Sequence, residues 1–251
     1  MSNAASLTLL REDVSADPVA DLERSLTLLR EVSSGTRGSL LRLYSPAPTL
    51  AFGQRDRRLP GFDAAWSAAE RHGFTPVVRS AGGRAAAYHR GCLIVDQIQA
   101  EPEPMLAHQA RFSEFGGLFA AALRGVGVDA AVGEIPGEYC PGEFSVHGTP
   151  PGGAVQGPTA GGRVKLVGTA QRVVAGAWLF TSVVVVAHAA PLREVTGEVY
   201  AALGMPLDPA TVGAAEDLVV AGVRSPTVVD VERSLLKTWA EAGYSVAGAG
   251  R

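Results

Sequence analysis

The chain is 251 residues long, 47% hydrophobic and 19% charged, with a formal net charge of −3. That length supports one large core or two unequal ones, and the slightly acidic balance with scattered arginines argues against a nucleic-acid protein, which would show a basic face. No apolar run reaches the ~20 residues that span a bilayer as a helix. The longest, Ala177 to Ala190, is broken by Thr181, Ser182 and His188 and reads as a buried strand. The opening MSNAASLTLLRED is too short and too soon acidic for a signal peptide. Two cysteines, 48 positions apart, make neither a disulfide framework nor a metal spacing. A cytoplasmic protein with no metal is expected, in which each thiol is a buried hydrophobe or a reactive group.

In chain order, Asp17-Pro18 opens a helix, with Asp as N-cap and Pro in the first turn. Val19, Leu22, Leu26 and Leu29 recur at spacings of three and four, and Gly35 ends the pattern. Ser39 to Ser45 alternates as a strand, and PAPTLAFGQ (Pro46 to Gln54) holds a short apolar one. Asp63 to His72 reads as a helix and Phe74 to Arg79 as a strand. After Gly82-Gly83 come Ala85 to Tyr88 and a strand from Cys92 to Ile98. Glu103 to Arg124 predicts a long amphipathic helix with Met105, Phe112, Phe115, Phe119 and Ala122 on one face, and Val128 to Val132 a weak strand. A hairpin from Tyr139 to Val174 follows, carrying Cys140 on its first arm and Lys165 on its second. Its loop, His147 to Gly162, is rich in Gly and Pro and expected to be mobile. Ala177 to Ala187 suits a sheet covered on both faces. Beyond it the pattern is helical over Glu194 to Leu203, Ala210 to Val220 and Thr227 to Ala242. The order lacks strict βαβ alternation and predicts an α+β fold, a mixed or antiparallel sheet flanked by helices.

Three groups of residues can carry chemistry. In RSAGGRAAAYHRG, Gly82 and Gly83 let backbone approach a ligand and Arg79 can pair with an anion; the same letters also fit a plain Gly-rich turn. His89 is either a ligand or a structural histidine. Cys140 sits in EYCPGE on a turn, unlike Cys92, which lies inside the apolar GCLIVD as a structural cysteine would. Carboxylates beside Cys140 would raise a thiol pKa unless a cation answers them, and Lys165 is the cation the hairpin can bring near. In RVKLVGTAQR, Lys165 is either that partner or a solvated charge, and the small Gly168, Thr169 and Ala170 leave room for a ligand.

Together these segments resemble the superfamily of lipoate-protein ligases, biotin ligases and octanoyltransferases. Pro48 to Gly53 matches its Pro-x-x-x-x-Gly strand. Arg79, Gly82, Gly83, Ala85, His89 and Gly91 match its glycine loop, and Lys165, Gly168, Ala170, Gln171 and Arg172 match its lysine strand. The matches run in order over about two-thirds of the chain. Tyr139-Cys140-Pro141-Gly142 and GQRDRRLPG (Gly53 to Gly61) resemble the octanoyltransferases that take the acyl group from the glycine cleavage H protein.

The resemblance implies a catalytic domain over residues 1–190 with a helical extension, 191–251, packed on it. It implies an acyltransferase of lipoate assembly in which Cys140 carries an octanoyl or lipoyl group as a thioester and Lys165 is its cationic partner. Arg79, Gly82, Gly83, His89, Gly168, Thr169 and Ala170 would bind substrate. Lipoyl domains of 2-oxoacid dehydrogenases and the H protein would be the partners of a monomer working without cofactor. The alternatives are an ATP-dependent lipoate ligase, which would need ATP and Mg, and an acyl-binding relative without turnover. Arg84 departs from the family's small or apolar residue and either narrows the pocket or reaches an acid.

Overall fold

The computed structural model describes residues 6–14, 16–151, 162–219 and 223–248. The loop expected to be mobile lies outside the described residues from 152 to 161.

Its elements are β1 (Ser6–Arg11), α1 (Pro18–Ser33), β2 (Leu40–Tyr44), β3 (Thr49–Phe52), α2 (Phe62–Arg71), β4 (Thr75–Val78), β5 (Ala86–Tyr88) and β6 (Cys92–Ala100). There follow α3 (His108–Arg124), β7 (Asp129–Val132), β8 (Val146–Thr149), β9 (Val164–Val174), β10 (Ala177–Val185), α4 (Ala189–Ala202), α5 (Val228–Glu241) and β11 (Ser245–Gly248). Eight strands form one mixed sheet in the order β11-β1-β2-β6-β10-β9-β8-β7, and β4-β3-β5 form a smaller one. β1 runs parallel to β2 and β11, and the rest of the large sheet is antiparallel. The expected class is observed.

Local chemistry explains most boundaries. The Asp17 carboxylate accepts from the N–H of Val19 (2.9 Å) and Ala20 (3.1 Å), capping α1 where the sequence placed a cap. On α5, Thr227 and Asp230 form a reciprocal capping box. Gly35 takes φ +75° where α1 stops. α3, by contrast, starts at His108 and not at Glu103. Pro104 disfavours helical backbone at Glu103, the residue before it, and Leu106 and His108 make short turns onto Glu103 and Met105. Met105 is therefore off the helix face, with 66% of its surface exposed, and Leu106 is 80% exposed.

Two large cores and a smaller one flank the sheet. On one face Phe115, Phe119 and Leu123 of α3 meet Val231, Leu235 and Trp239 of α5 over Trp178, Phe180 and Val184. On the other, Val185 and Ile94 face the small sheet with α2 and α4, while Leu28, Leu29 and Val32 of α1 cover Ile98 and Leu179. Val184 and Val185 thus bury opposite faces of β10, as the VVVV run requires. The region after residue 190 is not all helix. Its last described element is β11, which pairs with β1 at the sheet edge, and where a helix was expected over Ala210 to Val220 the described residues form two short 3-10 turns, Pro209–Thr211 and Ala215–Leu218.

Trp239 is fully buried, stacks near Phe115 with ring centres 6.0 Å apart, and donates its indole N–H to Gln97 Oε1 at 2.7 Å. Trp239→Ala should cost about 3–5 kcal/mol of stability, the usual loss for a buried tryptophan, read by urea denaturation.

Candidate active site

A cavity of about 520 Å³ opens where β8 stops pairing with β9. β8 covers β9 only from Val164 to Val167, so beyond that point one edge of β9 faces the cavity. Gly168, Thr169, Ala170 and Gln171 line it there. The glycine loop supplies Arg79, Gly82 and Gly83. The loop before β8 supplies Tyr139, Cys140 and Pro141, and Lys165 completes the wall. A second cavity of about 440 Å³ lies under α1, lined by apolar groups such as Leu22, Leu26, Trp66 and Ile94. Arg79, Gly168 and Val183 are walls of both.

Cys140 is not on a hairpin arm, as the sequence suggested, but in the turn that leads into β8. Its backbone is left-handed, φ +43°, a conformation that costs a non-glycine residue about 1–3 kcal/mol. Its half-buried thiol accepts a hydrogen bond from the Arg84 N–H, Sγ to N 3.1 Å. Its own N–H donates to the Tyr200 hydroxyl at 2.7 Å. Cys92 differs as expected: it is fully buried in β6, and burial pushes its thiol up to about 12.

Lys165 is 2% exposed. Its ammonium donates to the carbonyls of Tyr139 (2.9 Å) and Cys140 (2.8 Å), lies 3.4 Å from Glu138 Oε2, and stands 4.7 Å from the centre of the Tyr139 ring. Burial lowers its pKa, against the charges of Glu138 and Cys140 that hold it up. Burial also raises that of Glu138, against Lys165 and the donors Ser145 and Gly142. The carboxylate nearest Cys140 in sequence is therefore turned inward, onto the lysine.

Four residues that the sequence did not single out as site residues complete the site, although Glu138 and Asp56 lie inside motifs quoted above. Glu138 is one. Asp56, wholly buried, accepts from the Gly53 N–H (2.8 Å) and from Arg84 Nη1 (3.1 Å). Arg84 thus reaches an acid and is not among the residues lining the 520 Å³ cavity. Tyr200 is the third. Arg111, 3% exposed, donates to Gln171 Oε1 at 2.8 Å and holds the far end of the β9 wall. No sequence motif marks Tyr200 or Arg111; a charge in the middle of an otherwise apolar helix face was the available signal for Arg111.

Residues 17–196 match the family described as the lipoyl protein ligase A/B catalytic domain. The chain belongs to that family. Among curated relatives, it is 30% identical over 133 residues to an octanoyl-[GcvH]:protein N-octanoyltransferase of Geobacillus kaustophilus, covering 51% of this chain and 47% of that one. It is 26% identical over 150 residues to a lipoyl-[GcvH]:protein N-lipoyltransferase of Listeria monocytogenes, covering 55% and 54%. The chain spans about half the length of the curated relatives it matches. Among solved structures, a putative lipoate protein ligase of T. acidophilum with bound lipoic acid superposes with a TM-score of 0.69 at 18% identity, over 98% of this chain and 89% of that one. A lipoate-protein ligase A bound with ATP gives 0.67 at 16%, over 99% and 90%.

Of the residues the family resemblance singled out, the fold brings Cys140, Lys165, Arg79, Gly82, Gly83, Gly168, Thr169 and Ala170 to one cavity. His89 is not among them. Gly91 donates to its Nδ1 (3.0 Å), and its Nε2 lies 2.9 Å from the His188 carbonyl, so the ring braces the turn between β5 and β6 against the start of α4.

The two glycines are not equivalent. Gly83 has φ +101°, and a Cβ there would lie 2.5 Å from Arg79 Nη2 and 2.9 Å from Cys140 Sγ; at Gly82 it would meet nothing within 4 Å. Gly83→Ala should cost about 1–3 kcal/mol, whereas Gly82→Ala stays within ~1 kcal/mol, as thermal unfolding of the two variants will show. Glu138→Gln removes the charge that holds the Lys165 pKa up. A lowered native lysine pKa means that stability is full above the ordinary value near ~10.4 and falls as pH drops through the native one. The variant should therefore lose about 3 kcal/mol at neutral pH and recover towards wild type near pH ~10, measured by denaturation at both pH values.

Proposed function

We propose that this chain is a protein acyltransferase in which Cys140 carries an octanoyl or lipoyl group as a thioester between two protein lysines. The observation that supports it most is the thiol: held in a strained turn, bonded by a backbone N–H and set in the wall of a cavity beside a buried lysine. Strained residues of this kind cluster at reactive sites. The names of the relatives as octanoyl and lipoyl transferases acting with GcvH point the same way.

Cys140 attacks, as its thiolate, the carbonyl of an acyl amide on the donor protein, and the donor lysine leaves as an amine after taking a proton. An incoming neutral lysine then attacks the thioester carbonyl, and the thiolate leaves. The oxyanion in each step would be met by backbone N–H groups of the glycine loop or of β9 beyond Val167, where β8 no longer pairs with it; both segments line the cavity with Cys140. Lys165, whose charged form burial disfavours, is the group suited to pass the proton between amines. Its grip on the Tyr139 and Cys140 carbonyls also fixes the nucleophile. The hydrocarbon chain lies against the apolar walls, and each buried methylene contributes about 0.8 kcal/mol. One amide is exchanged for another through a thioester, so the reaction as written consumes no nucleotide. The donor and acceptor are an octanoylated or lipoylated H protein and a lipoyl domain.

Incubation with octanoylated H protein and no ATP should add one octanoyl mass to the intact chain, and Cys140→Ala should abolish it. An unchanged adduct on Cys140→Ala, or lipoate-dependent exchange of pyrophosphate into ATP in its place, would overturn the proposal in favour of a ligase. Donors with acyl chains two carbons shorter should bind about tenfold more weakly.

A further inference from the structure

Cys140 precedes a proline, which disfavours helical backbone, yet holds a left-handed conformation. Something outside the turn must keep it there. Its three polar groups are each held by a different segment: the carbonyl by Lys165 of β9, the sulfur by the Arg84 N–H of the glycine loop, and the N–H by Tyr200 of α4. The Tyr200 hydroxyl then donates to the Ala85 carbonyl at 2.9 Å. One hydroxyl therefore joins the nucleophile's own N–H to the residue next to the one that bonds its sulfur. Tyr200 is 2% exposed, packed in the core between α2, α4 and the small sheet, so the hydroxyl has little freedom to move. It lies beyond the 17–196 stretch that matches the family.

We infer that Tyr200 is a positioning residue for Cys140: its hydroxyl fixes the left-handed turn and, through Ala85, registers the Arg84 N–H against the sulfur. The inference rests on reading Cys140 as the acyl carrier. Arg84 is fixed on its other sides as well, by Asp56 on its side chain and by Arg79 Nη2 on its carbonyl at 2.8 Å. Tyr200 alone among these groups touches both loops. Loss of its hydroxyl leaves the Cys140 N–H and the Ala85 carbonyl without this partner and frees the turn to relax towards the backbone that a residue before proline prefers.

Tyr200→Phe keeps the ring and removes the oxygen. In the unsubstituted protein the Cys140 amide should exchange slowly with solvent deuterium, although it sits in a turn. In folded Tyr200→Phe it should exchange about tenfold faster or more, and single-turnover acylation of Cys140 by octanoylated H protein should fall on the order of ten- to a hundredfold, with the donor KM unchanged. A purely structural tyrosine would lower the melting temperature and leave acylation by the folded variant within about twofold of wild type; that result overturns the inference. Should the variant not fold, the unsubstituted protein decides: a Cys140 amide that exchanges as fast as an open turn means no pin exists. Should the unsubstituted protein take no acyl group at all, the transferase reading fails, and the exchange comparison still rules on Tyr200.

Discussion

A lysine ammonium that is almost wholly out of water has to be met by acceptors, and in this chain that requirement shapes the site. Lys165 finds the carbonyls of Tyr139 and Cys140 and the carboxylate of Glu138. All three come from one short loop between β7 and β8, which these bonds hold together with the burial of Ile135 and Tyr139 and the bonds from Cys140 to Tyr200 and from Arg84 to Cys140. Leaving that charge unmatched would cost several kcal/mol. The loop is therefore positioned by electrostatics as well as by burial of Ile135 and Tyr139, while the sheet beneath it is positioned by apolar burial. The two kinds of force meet at β9, whose Val164, Leu166 and Val167 lie in the core while Lys165 turns to the loop.

The same arrangement answers a difficulty in the local charge pattern. Glu138 and Glu143 flank a thiol that, on the proposed reading, has to ionise. Glu143 is exposed, and Glu138 is spent on Ser145, the Gly142 N–H and the lysine. The sulfur meets a backbone donor instead. A peptide N–H can hydrogen-bond the sulfur without bringing a full charge into an apolar cavity. Arg84 lends its N–H to the sulfur and keeps its own charge on Asp56.

Much of this was legible in the letters. Caps, glycine stops and apolar periodicity placed most elements, because those signals act within a few residues. The glycine loop, the cysteine turn and the lysine strand were legible as three motifs that fold together. What failed depends on tertiary contact. Met105 fits the periodicity of α3, but two prolines and the Arg111 side chain bonded to the Pro104 carbonyl hold the preceding stretch off the helix. The last strand, Ser245 to Gly248, has almost no apolar pattern, since it is an edge strand whose order comes from backbone pairing with β1. His89 matches a motif position, yet its ring is turned to backbone groups and not to the cavity. A motif fixes where a residue stands in the chain; it does not fix which way the side chain turns.

The contacts of Asp56, Glu138 and Tyr200 share a reason for not being legible in the sequence. Each acts through another residue, Asp56 on Arg84, Glu138 on Lys165 and Tyr200 on Cys140, at separations of 28, 27 and 60 positions. The sequence distance is bridged by the packing of the cores. Asp56 sits under the turn after β3, and Tyr200 is presented by α4, which packs on α2 and the small sheet. A thiol in a left-handed turn is thus a property of the whole fold: the glycine loop has to be close enough for its Arg84 N–H to reach the sulfur, and that closeness depends on Gly83 having no side chain. It also depends on α4, whose last turn lies beyond the matched family stretch, holding Tyr200 at the right depth. The C-terminal region is built into the same fold, since its α5 and β11 complete the opposite core and the sheet edge.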